Sequence, residues 1–149
     1  MTDPIENFIE LMGMTYQVDG APRIAGRIFG LLLVEDEPYA LQDIATRLQV
    51  SKASASTNAR FLAERGVIRL TSKPGIRQDF YELVPDVYRQ MALKVSARMM
   101  QVSNQIAEVH EAIPSEQSIA RDRIANLAEC YRLASETAID WSDRLPPSK

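Results

Sequence analysis

The chain has 149 residues, 25% of them charged and 46% apolar, which suits one soluble globular domain with helical extensions and a real core. Its N-terminus shows no basic segment leading into an apolar run. Its longest apolar run, "IFGLLLV" (28–34), falls far short of the ~20 residues a bilayer needs, and a single cysteine excludes an intrachain disulfide framework. These features predict a cytoplasmic protein with no membrane segment, and a net charge of −3 argues at face value against a nucleic-acid partner.

Asp3-Pro4-Ile5-Glu6 reads as an N-cap, a proline at the first helical position and a capping-box glutamate, opening a helix that ends near Gly13. Gly20 and Pro22 precede a second helix, with Ile24, Ile28, Leu31 and Leu32 at helical spacing, which ends at Glu35-Asp36-Glu37-Pro38. Gly26 and Gly30, four apart, either admit a neighbouring backbone or are merely tolerated. A short third helix over 42–48 buries Ile44, Ala45 and Leu48.

The next stretch, "QVSKASASTNARFLAERGVIRL" (49–70), starts a helix with short polar side chains that compete for backbone hydrogen bonds. Ser51 is a natural N-cap and Gly66 a natural C-cap. At 100° per residue Ala55, Ala59 and Leu62 face the core, while Ala53, Ser56, Thr57 and Arg60 face outward with Lys52 and Ser54 beside them. A solvated helix face explains such a surface. So does a groove reader, because short hydroxyls bring the backbone close to base edges and arginine bonds bases and phosphates. Val67–Thr71 and Asp79–Val84 then read as strands, joined through Lys73-Pro74-Gly75 by turn chemistry, with Lys73 and Arg77 at the hairpin tip. Residues 51–78 hold six basic side chains against one acid, a net of +5, so the other 121 residues sum to −8. Positive charge concentrated on an acidic body is the pattern of a nucleic-acid reader. Helix, turn, polar-basic helix and basic hairpin together predict a winged helix-turn-helix.

"GRIFGLLLVEDEPYALQDIATRLQVSKASASTNARFLAERGVIRL", followed by "PGIRQDFYEL", resembles the winged-helix core of MarR-type bacterial transcription regulators, closest to the GbsR-like branch. The likeness covers about residues 25–84. It implies a homodimeric DNA-binding regulator, with double-stranded DNA contacted by Ser51, Lys52, Ser54, Ser56, Thr57 and Arg60 from the helix and by Arg77 from the wing. It also implies a small-molecule effector for some members, for which Tyr16, Tyr88, Tyr131 and Trp141 are the available aromatics. Two positions depart from the family pattern. Gln49 stands where a turn glycine is usual, and Ile76 where aspartate commonly precedes the arginine.

In the C-terminal half, Val87, Met91, Val95, Met99, Val102, Ile106, Val109 and Ile113 recur by fours and threes until Pro114 ends the helix and Ser115 caps the next. The last helix carries Ala120, Ile124, Leu127, Tyr131, Ala134, Ala138, Trp141 and Leu145 as a heptad seam. Two long seams exceed what one winged helix can cover, so the pattern predicts a dimer interface through Ile124, Leu127, Tyr131, Ala134 and Trp141; the alternative is an intramolecular hairpin packed on the winged helix. The expected organisation is an N-terminal helix (1–20) joining the dimer interface, a winged helix-turn-helix (21–84) and a C-terminal dimerisation region (85–149). The fold class is mostly α with a small β-hairpin wing.

His110 has no second imidazole and no metal-ligand spacing, Cys130 reads as a small packed helical residue, and no nucleophile has an obvious base. No metal, cofactor or catalysis is therefore expected. Three functions compete: a dimeric DNA-binding regulator first, a winged-helix adaptor whose basic face docks an acidic protein second, and an enzyme last.

Overall fold

The computed structural model describes residues 3–148; Met1 and Thr2, which belong to the expected N-terminal dimerisation segment, and Lys149 lie outside the described residues. Where composition predicts one domain with extensions, the chain divides into two compact units, one ending at Pro85 and one beginning at Asp86.

The first unit runs α1 (Pro4–Val18), α2 (Arg23–Val34), β1 (Tyr39–Ala40), α3 (Leu41–Leu48), α4 (Lys52–Glu64), β2 (Ile68–Thr71) and β3 (Phe80–Leu83). Asp3 caps α1 as expected, its carboxylate accepting from the Ile5 N–H at 2.9 Å. Glu6 does not close a capping box; its carboxylate pairs instead with Arg47 of α3. Nor does α1 stop at Gly13. It continues to Val18, because Gly13 is a buried contact point where a Cβ would come within 2.7 Å of Arg27 Cγ on α2. The paired glycines of α2 serve the same approach: a Cβ at Gly26 would lie 2.3 Å from the Met12 carbonyl oxygen, and one at Gly30 would lie 3.2 Å from Ile9 Cα. Glu10 fastens the pair by accepting from Arg23 Nη2 at 2.9 Å and Arg27 Nε at 2.7 Å.

The core of this unit is α2, whose Ala25, Ile28 and Leu31 are fully buried beside Ile44, Leu48, Ala55, Ala59 and Leu62. Burial of Ile44, Ala45 and Leu48 matches the amphipathic reading of α3. The hairpin strands form where expected, but a third strand joins them. Tyr39 pairs with Tyr81 and Ala40 with Phe80, giving an antiparallel sheet ordered β1-β3-β2. Two residues are too few to show an alternating pattern, so β1 left no mark in the sequence.

The second unit is an antiparallel hairpin of α5 (Val87–Ala112) and α6 (Ser118–Arg144). Ser115 is not the cap of α6. A turn in which the Gln117 N–H donates to the Pro114 carbonyl at 3.0 Å delays the helix to Ser118. Arg121 braces this corner by donating to the carbonyls of His110 and Ile113. The two helices meet through small side chains: Ala92, Ser96 and Ser103 on α5, Ser135, Ala138 and Ser142 on α6. Ser135 Oγ donates to the Ser96 carbonyl at 2.9 Å and accepts from Ser96 Oγ, also at 2.9 Å, while Ser103 Oγ donates to the Ala128 carbonyl at 2.8 Å. Small residues let the backbones close up, and every buried hydroxyl of the described residues has a partner.

Candidate nucleic-acid interface

The turn between α3 and α4 is closed by Gln49 in the left-handed region (φ 55°, ψ 44°), with its N–H donating to the Thr46 carbonyl at 3.2 Å and that of Val50 to the Ala45 carbonyl at 3.0 Å. This is the position where the sequence departs from a turn glycine, and the backbone takes the glycine-like conformation regardless. Ser51 then caps α4, its Oγ accepting from the Ser54 N–H at 3.0 Å. At the far end Gly66 takes φ 68°, and the Gly66 and Val67 N–H groups donate to the Ala63 and Leu62 carbonyls, which stops the helix where its glycine predicted.

On α4 the inner face is Ala55, Ala59 and Leu62, each with no exposure. Lys52, Ala53, Thr57 and Arg60 point outward and exposed, while Ser54 and Ser56 are half-buried at the margins. Asn58 belongs inside: it is 8% exposed and its amide Nδ2 donates to the Ser54 carbonyl at 2.8 Å. Its offset of three from Ala55 carried that signal, which its polar chemistry obscured.

The wing turns at Lys73-Pro74-Gly75-Ile76, where the Ile76 N–H donates to the Lys73 carbonyl at 3.2 Å and Gly75 takes φ 77°, the type II arrangement with proline second and glycine third. The basic residues divide by partner. Arg69 pairs with Glu82 at 2.8 Å across the β2–β3 ladder. The Arg65 guanidinium lies 3.4 Å above the Phe61 ring centroid, and the Lys73 ammonium 4.8 Å from that of Phe80. Among the described residues no carboxylate pairs with Lys52, Arg60 or Arg77. Arg65 and Lys73 likewise pair with no carboxylate among the described residues, and a ring contact leaves their charge in place, so of the six basic side chains only Arg69 is neutralised by an ion pair. Burial pushes the Tyr81 phenol up; Asp79 adds to that shift, and Arg60, close enough to matter, opposes it.

In the second unit the residues expected at an interface keep their apolar surface outward. Leu127 is 48% and Trp141 47% exposed, Ala134 is exposed, and Ile124 and Tyr131 are half-buried. Ile124 and Leu127 join Val102, Ile106 and Val109 in an apolar groove of about 350 Å³ between α5 and α6. Tyr16, one of the aromatics suggested for an effector, is stacked on Phe29 at 5.9 Å between ring centroids and serves packing in the first unit. Cys130 is exposed on α6, not packed as its size suggested, because the hairpin seam runs through serine and alanine on the neighbouring face.

A helix, a tight turn, a second helix with a short polar and basic outer face, and an antiparallel wing define a winged helix-turn-helix protein. The comparisons agree with that class. No family model matches the chain. It is 36% identical over 85 residues to the HTH-type transcriptional regulator MmpR5 of Mycobacterium tuberculosis, an alignment covering 56% of this chain and 52% of that protein, so the chain spans about half the length of that relative. It is 23% identical to the HTH-type transcriptional repressor OpcR of Bacillus subtilis over 94% of this chain and 80% of the repressor. A crystal structure of a transcriptional regulator superposes with a TM-score of 0.77 at 27% identity, covering 95% of this chain and all of that one. The chain is thus a helix-turn-helix protein similar, in sequence and in fold, to transcriptional regulators.

Proposed function

We propose that the protein is a sequence-specific regulator of transcription that binds double-stranded DNA as a homodimer on a pseudo-palindromic operator, of the MarR type and its GbsR-like branch, acting as a repressor in the cytoplasm. The observation that carries the reading is the outer face of α4, where exposed Thr57 and Arg60 have no side-chain hydrogen bond or ion pair among the described residues, on a helix held by a helix-turn-helix. Such a face fits a major groove, where arginine bonds guanine and a hydroxyl bonds either base class. Dimerisation is supported by the exposed apolar surface of the α5–α6 hairpin, which the serine–alanine seam between the helices leaves unused. Modulation by a small-molecule effector belongs to the same proposal, with no ligand named. No catalytic role is assigned.

Selection of binding sites from random duplexes with the purified protein tests the proposal directly. On the selected operator, Arg60→Ala is expected to cost on the order of 1–3 kcal/mol per half-site and to relax preference at particular base pairs. Arg77→Ala is expected to weaken operator and scrambled duplex by similar factors, since phosphate contacts carry little sequence information. If Arg60→Ala binds both duplexes like the unaltered protein, α4 does not read DNA and the adaptor function is the better account.

A further inference from the structure

We propose that the cavity where α3, α4 and the returning limb of the wing converge is a pocket for a single DNA backbone phosphate, held jointly by Lys52 and Arg77. This rests on the DNA-binding reading above and deepens it, by naming the one group on DNA that recognition helix and wing share. The cavity has a volume of about 360 Å³, and its walls include Leu41 and Gln42 at the start of α3, Lys52 at the start of α4, and Arg77, Gln78 and Asp79 from the wing.

Three properties select a phosphodiester. The charged side chains of the lining are a lysine, an arginine and an aspartate, so the wall carries one net positive charge, matching the single negative charge of a backbone phosphate. The donors differ in a useful way: a lysine supplies a compact charge, an arginine a planar fork, and two glutamine amides can bond oxygens without adding charge. Finally, α3 begins at this wall without a side-chain cap. Its N-cap is Ala40, and the Leu41 N–H is already committed to the Asp79 carbonyl at 3.0 Å, which ties the wing limb to α3 and holds Gln78 and Arg77 beside it. The remaining first-turn amides and the helix dipole lie on the same side, offset in part by the exposed Asp43 carboxylate of that turn. Asp79 opposes an anion through its carboxylate, which is why both cations are needed.

One consequence follows for the wing. With Arg77 committed to the phosphate that Lys52 also holds, the wing anchors the backbone next to α4 and contributes no preference for the sequence of the flanks.

The test uses the full chain, the selected operator, and duplexes in which one phosphate at a time is replaced by an uncharged methylphosphonate. Lys52 and Arg77 are both exposed, so Lys52→Met and Arg77→Met should melt like the unaltered protein. At one phosphate per half-site, neutralisation is expected to weaken the unaltered protein roughly 10-fold, as loss of a hydrogen bond to a charged group does. The same neutralisation should change the binding of either variant by less than about 2-fold, and the double variant should be weakened by less than the product of the single effects. Each single variant should lower the salt slope by about 0.9 per half-site. The proposal is overturned if the two variants are made insensitive at different phosphates, if their effects multiply, or if Arg77→Met changes flank preference. Failure of the unaltered protein to select any duplex would instead remove the DNA-binding reading, and this inference with it.

Discussion

Gln49 holds a backbone conformation that an L side chain resists, at φ 55° and ψ 44°, in which its own N–H and that of Val50 donate to the last carbonyls of α3. A left-handed non-glycine residue costs roughly 1–2 kcal/mol, and glycine gives back part of that gain as unfolded-state entropy. Gln49→Gly is therefore expected to raise stability by about 0.5–1 kcal/mol in urea unfolding; a loss would mean that the glutamine side chain has a stabilising partner of its own. Asp86 is the second such residue, at φ 53°, and it stands where the two compact units meet in sequence. Both positions sit outside regular elements, where periodicity says nothing. Gln49 was legible only through likeness to a family that has glycine there, and Asp86 was not legible at all. Asn58 shows the converse: its helical phase pointed inward, and the donor bond to the Ser54 carbonyl is what allows a polar side chain to follow that phase.

Among elements, the union of α1 and α2 depends on missing side chains. A methyl group at Gly26 would have to occupy space 2.3 Å from a backbone oxygen and 2.8 Å from the Tyr16 side chain, and backbone cannot give way as a flexible chain end can. Gly26→Ala should destabilise by about 1–3 kcal/mol or more. Gly30→Ala, where the nearest atom is 3.2 Å away, should cost less. Thermal melting of the two variants ranks them, and equal melting temperatures would contradict the close approach. The same helix pair has an acid limb. The Arg23 guanidinium bonded to Glu10, aided by Arg27, holds its carboxyl below the usual range, as Arg47 does for Glu6. A depressed folded value means the contribution is complete above the free glutamate's 4.5 and is lost as pH falls below it. Because Glu10 is 41% exposed, the contribution is on the order of 1 kcal/mol or less. Unfolding from pH 7 to 3 should show Glu10→Gln less stable than the unaltered protein at neutral pH and equal to it in acid; a gap that widened in acid would be the wrong sign.

For the whole molecule, the unused apolar surface of the hairpin sets the expectation. Val95 is 42%, Val109 61%, Leu127 48% and Trp141 47% exposed, more large apolar side chain than an isolated helical hairpin ordinarily leaves to water. If a second copy covers this face, as the proposed homodimer requires, then Leu127→Glu with Ala134→Glu would bury unpaired charge and should dissociate the dimer. Leu127 also lines the α5–α6 groove, so helix content is measured alongside, and Ala134→Glu alone, at an exposed position, is the variant that should leave the hairpin intact. Sedimentation at micromolar concentration measures dissociation, and an unaltered protein that sediments as a monomer removes the basis for the dimer.

Local chemistry was readable from the chain alone: the Asp3 and Ser51 caps, the Gly66 stop, the proline–glycine wing turn, and the inward phase of Ala55, Ala59 and Leu62 are each decided by a few neighbouring residues. The polar-basic face of α4 followed from the same phase. What only the tertiary structure decided are the matters in which residues distant in sequence compete. Gly13 looked like a stop and is a contact, because α2 lies against it. Glu6 looked like a cap and is an ion pair, because Arg47 comes within reach across 41 positions. Of the six basic residues, Glu82 pairs with Arg69 across the ladder, and the Phe61 and Phe80 rings fix where Arg65 and Lys73 lie without removing their charge. A side chain's backbone preferences are local and travel with the sequence, whereas its partner is whichever group the folded chain brings closest.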